Sequence, residues 1–102
     1  MSPDGGVGKM EDPEAELLHI RQEIERVDHA LIALIAERVS LAERVGVAKR
    51  ALGLPVLDPA REAAVVRRAG TVARDAGLQD EDVRYIFWHL IGLSRRAQME
   101  AS

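Results

Sequence analysis

Arg38 stands on a stripe of the sequence that is otherwise apolar, between Leu34 and Leu41. A charge there is costly unless it is paired. It either snorkels to water, pairs with a Glu of a neighbouring helix, or belongs to an anion site. Lys49 follows by 11 residues, which on a helix is a rotation of only about 20° from Arg38. Both cations therefore project from one face, some three turns apart. Arg21 precedes Arg38 by 17 residues, a rotation of about 100° and too far along one helix to share its site. In an antiparallel dimer it could reach the partner's Arg38 region. Ser94 and Gln98 fall in line with Phe87 and Leu90 on a later apolar stripe, so they face inward, and a buried amide needs partners. Asp58-Pro59-Ala60-Arg61-Glu62 opens the segment between, with Asp58 suited to capping and Glu62 able to pair with a Lys or Arg. Together these groups offer cations and amide donors to carboxylates and to ether or hydroxyl oxygens.

The same residues exclude other chemistries. Cysteine is absent, so thiol catalysis, disulfides and Cys-ligated metal are ruled out. His19, His29 and His89 lack metal-ligand spacing, and Ser94 has no sequence signal of a triad. The site reads as binding and electrostatics without covalent chemistry. A net charge of -3 argues against nucleic acid as a partner, and no apolar run is long enough to span a membrane. The N-terminus lacks a basic-then-apolar export pattern, so a cytoplasmic location is expected.

The elements that must hold these groups are helices. The glycine-rich residues 1–11 read as a disordered tail, and residues 12–102 as one helical domain. Asp12 as N-cap and Pro13 at the first position start a helix that no proline interrupts until Pro55. Its seam runs Leu17, Ile20, Ile24, Val27, Leu31, Leu34, Arg38, Leu41, Val45, Ala48, Leu52. Gly46 is its one interior glycine, at a cost of about 1 kcal/mol against alanine. Gly53 and Pro55 end it at about Leu52. A second helix runs from Asp58-Pro59 to about Ala76, with Val65, Val66, Ala69, Val72 and Ala73 inward, and Gly77 ends it. Asp80 is expected to cap a third, with Val83, Ile86, Phe87, Leu90, Ile91, Ser94, Ala97 and Gln98 inward. No period-2 segment predicts a strand, so the fold class is all-α. A first helix of this length spans about 60 Å, more than two short helices cover. Its apolar seam predicts a homodimer of paired long helices, against a monomeric three-helix bundle.

From about Leu17 to Gln98 the chain resembles the all-helical class of chorismate mutases. The resemblance rests on I-R-Q-E-I-E-R-V-D from Ile20, A-E-R-V-S-L-A around Arg38 and V-G-V-A-K-R through Lys49. It continues in P-V-L-D-P-A-R-E from Pro55 and I-G-L-S-R-R-A-Q ending at Gln98. The family's polar site set falls on Arg21, Arg38, Lys49, Asp58, Arg61, Glu62, Ser94 and Gln98, none of them substituted. The resemblance implies an intertwined, domain-swapped helical homodimer with shared sites, Arg21 entering from the partner subunit. It implies an isomerase of the shikimate pathway that converts chorismate to prephenate for phenylalanine and tyrosine biosynthesis, without metal or cofactor. In that reading the arginines hold two carboxylates, Lys49 and Gln98 donate to the ether oxygen, and Glu62, with the backbone near Asp58, holds the ring hydroxyl. Arg61 and Ser94 support that network and a carboxylate. Two alternatives share the fold: a 4-amino-4-deoxychorismate mutase and an isochorismate pyruvate lyase. A non-enzymatic helical dimerisation module explains the long seam, but not Arg38, Ser94 and Gln98 facing inward together.

Overall fold

The computed structural model describes residues 12–101. The tail expected over residues 1–11 lies outside the described residues. Three helices follow one another: α1 (Pro13–Leu52), α2 (Pro59–Asp75) and α3 (Asp80–Glu100). Among the described residues there is no strand.

The helix ends follow from local chemistry. The Asp12 carboxylate accepts the Ala15 N–H at 3.2 Å, and its carbonyl accepts from Glu16, as the N-cap reading requires. Asp58 caps α2 in the same way, through the Arg61 N–H at 3.1 Å. Both α1 and α2 end with a glycine at positive φ, Gly53 at 71° and Gly77 at 79°. At α1, Leu54 N–H donates to Lys49 C=O at 2.8 Å and Gly53 N–H to Arg50 C=O at 3.1 Å. At α2, Leu78 and Gly77 repeat the pattern on Ala73 and Arg74. Each pair satisfies carbonyls that the helix end would otherwise leave bare. The start of α3 differs from expectation: Gln79 is the cap residue, and it makes no side-chain capping bond. Asp80 is the first helical residue, and its carboxylate accepts from Arg74 Nη1 at 2.6 Å, with Arg84 Nη2 3.9 Å away. The Arg74 guanidinium takes that carboxylate in a charge-assisted hydrogen bond.

The chain divides into two compact units between Leu34 and Ile35. In the first, α1 leaves Leu17, Ile20, Ile24, Val27 and Leu31 between 42% and 53% exposed. The second holds the end of α1 together with α2 and α3. Its centre is Val65, Val66 and Ile91, with Phe87 packed against them. Two residues expected inward are not: Val72 is 59% exposed and Ile86 55%. At about 100° per residue, each lies about a quarter-turn from the middle of its helix's buried face, at the edge of the contact.

Gly46 is buried on α1, and its reason is proximity. A Cβ there would lie 2.5 Å from the carbonyl oxygen and 2.8 Å from the Cα of Gln98, both fixed backbone atoms. The propensity lost by glycine, about 1 kcal/mol, is outweighed by the contact it permits between α1 and α3. Gly46→Ala is therefore expected to destabilise the fold by about 1–3 kcal/mol despite the better helix former. Chemical denaturation of the two proteins measures this.

Candidate active site

A cavity of about 480 Å³ opens within the second unit. Its polar wall is Arg38, Lys49, Asp58, Arg61, Glu62, Ser94 and Gln98; Leu41, Ala42, Val45, Val65 and Ile91 make the apolar wall. Seven of the eight site residues expected from sequence thus line one cavity. Helix α1 supplies Arg38 and Lys49 three turns apart on one face. The cap and first turn of α2 supply Asp58, Arg61 and Glu62, and one turn of α3 supplies Ser94 and Gln98. Arg21 is not among the lining residues; it is exposed on the unit that ends at Leu34.

Arg38 is half-buried, and among the described residues it makes no ion pair. Its Nη1 donates to Ser94 Oγ and, at 3.5 Å, to Leu90 C=O. Ser94 in turn donates to Leu90 C=O at 3.0 Å, so the hydroxyl is oriented to accept from the arginine. The guanidinium carbon stands 5.9 Å from the centre of the Phe87 ring, within range of a cation–π contact. Burial, then repulsion from Arg68 and Arg61, lowers its pKa from the usual arginine value. It remains charged in ordinary buffers. These effects mark a place where an anion relieves a standing electrostatic cost.

Lys49 organises the other end. Its ammonium donates to Val56 C=O at 2.8 Å and to Gln98 Oε1 at 2.9 Å. An ammonium has no acceptor, so the Gln98 amide must offer its oxygen to Lys49. That leaves the amide NH₂, and one ammonium hydrogen, free to donate elsewhere. The bond to Val56 ties the loop between α1 and α2 to the same lysine.

Two features escaped the sequence reading. Glu62 is paired with Arg95, through Nε to Oε2 at 3.1 Å and Nη2 to Oε1 at 2.7 Å. The hydrogen bond and the charge of Glu62 raise the Arg95 pKa. Nothing in the pattern singles out Arg95 from its neighbour Arg96. Arg68 had a signal: it lies seven residues after Arg61, two turns along the same face of α2. Among the described residues no group of His, Asp and Glu has the arrangement to hold a metal ion.

Because Arg38 carries an unrelieved charge cost, Arg38→Ala is expected to change stability without ligand by no more than about 1 kcal/mol. The wild type should gain melting temperature from a simple dicarboxylate such as malonate, and the variant should lose that gain. Thermal denaturation with and without malonate measures both.

The chain matches the family model described as chorismate mutase type II over residues 20–99. It is 33% identical over 85 residues to a chorismate mutase of Methanocaldococcus jannaschii, covering 83% of this chain and 86% of that protein. It is 32% identical over 65 residues to a 4-amino-4-deoxychorismate mutase of Streptomyces venezuelae, covering 64% and 63%. A T-protein of Enterobacter agglomerans is 44% identical over 52 residues, 51% of this chain but 14% of that protein. In structure it is similar to a conserved hypothetical protein from Pyrococcus furiosus, with a TM-score of 0.66, 32% identity, and coverage of 85% and 97%. The three helices, the ordered motifs and the matched residues lead to one assignment: the chain belongs to the chorismate mutase type II family.

Proposed function

We propose that the protein converts chorismate to prephenate by an intramolecular Claisen rearrangement, acting in the cytoplasm as an intertwined homodimer with shared sites. The observation that carries this reading is the convergence of Arg38, Lys49, Glu62 and Gln98 on one cavity. Chorismate bears two carboxylates, an enol-ether oxygen and a ring hydroxyl. In the reaction the ether C–O bond breaks as a C–C bond forms, and no atom or proton enters or leaves. The protein's work is to hold the reacting ends together and to favour the charge that builds on the oxygen.

Arg38, held by Ser94 and repelled by Arg61 and Arg68, meets one carboxylate. Arg21 of the partner subunit meets the other, and the exposed apolar seam of α1 supports pairing of the long helices. Lys49 and the free NH₂ of Gln98 donate to the ether oxygen. Glu62 and the backbone near Asp58 take the ring hydroxyl, and Arg61 steadies a carboxylate. The Streptomyces relative supports a second reading, in which an amino group replaces that hydroxyl at Glu62.

Loss of chorismate absorbance, with prephenate identified by mass, tests the reaction. Lys49→Ala is expected to cost at least about a hundredfold in kcat; a smaller loss in a folded protein removes Lys49 from the reaction. Gln98 is neutral, so the wild-type rate should be nearly flat from about pH 5 to 8. In Gln98→Glu the Lys49 ammonium would hold the new carboxylate ionised, and it could donate only once protonated. That variant should gain rate toward acid, and equal rates at the two ends of the range overturn the role. Sedimentation should give twice the 11.2 kDa chain mass. Ile24→Asp should shift that mass to the monomer and abolish turnover.

A further inference from the structure

Glu62 reaches the cavity wall already committed. Both its oxygens accept from Arg95, at 3.1 and 2.7 Å. Arg95 is not among the lining residues: it stands behind the carboxylate, its side chain 38% exposed against 17% for Glu62. The pair joins α3 to α2 and leaves each carboxylate oxygen able to accept once more.

We propose that Arg95 is a positioning residue that sets substrate choice: by pairing with Glu62 it presents a neutralised acceptor that favours a ring hydroxyl over an ammonium. The inference rests on the reading of Glu62 as the group facing the ring substituent. A lone Glu62 would give an ammonium a full ion pair. With Arg95 attached, the local charge cancels, and an incoming cation meets repulsion from the guanidinium. The other lining charges do not restore the attraction. Arg38, Lys49 and Arg61 are three cations against one other lining carboxylate, Asp58, so the wall without the Glu62–Arg95 pair carries net positive charge. A hydroxyl needs only a lone pair, and the Arg95 bonds hold the carboxylate in place to supply it.

The experiment compares kcat/KM for chorismate and for 4-amino-4-deoxychorismate, protonated at its amine, in the wild type and two variants. Arg95→Gln should move the ratio about tenfold or more toward the amino compound. Glu62→Gln, which leaves the Arg95 charge uncompensated, should move it the other way. Opposite shifts do not arise from a general loss of stability. Equal losses on both substrates in Arg95→Gln, or a shift toward chorismate, overturn the proposal. If Arg95→Gln does not fold, the Glu62→Gln shift decides: a ratio that stays put or moves toward the amino compound overturns it. A wild type that turns over neither compound refutes the proposed reaction alone. Equilibrium binding of the two compounds to the same proteins then reads the discrimination, with the same signs required.

Discussion

Arg38 is half-buried and repelled by two other guanidiniums, with no carboxylate in contact among the described residues. A fold chosen for stability alone would place a leucine there, as the rest of the stripe does. The cost is contained by a few neutral contacts: the Ser94 hydroxyl, the Leu90 carbonyl and the Phe87 ring. Each comes from α3, so α3 must lie against the end of α1 in one register. The remaining geometry of the cavity depends on meeting that requirement.

Register is secured at the opposite end of the same contact. Gly46 lets the Gln98 backbone approach α1 more closely than any side chain allows. One turn further along α1, Lys49 then holds the Gln98 side chain by its oxygen. The same ammonium takes the Val56 carbonyl, which positions the loop before Asp58 and so the first turn of α2. Lysine suits this place because it donates in three directions and accepts from none. Fold and site share these bonds. The polar wall is built from the contacts that join the helices, with the aliphatic core of Val65, Val66 and Ile91 beside it.

The helices and the inward placing of four lining residues could be read from sequence because they follow local rules, while Asp58 and Arg61 entered the site set through the family resemblance. Asp12, Asp58, Gly53 and Gly77 act within one turn of themselves, and Arg38, Lys49, Ser94 and Gln98 are phased by the 3.6-residue repeat. What was missed depends on distance through space. Gly46 read as a small loss of helix propensity because its neighbour Gln98 is on another helix. Arg95 was not singled out because its partner Glu62 is 33 residues away. Asp80 read as a cap because Arg74, on the preceding helix, reaches its carboxylate only once α2 and α3 are placed. Val72 and Ile86 sit on the margin of apolar stripes, where periodicity does not say which edge the neighbour covers.

The cavity also constrains how the gene can change length. Arg38 and Lys49 share a face because 11 residues separate them, and Ser94 and Gln98 because four do. Removing or adding one codon inside either interval turns one group of the pair by about 100° away from the other. The turn at Gly77-Leu78-Gln79 carries no lining residue, and its ends are closed by backbone bonds. Insertions and deletions should accumulate there among relatives, while the two helical intervals keep a constant count.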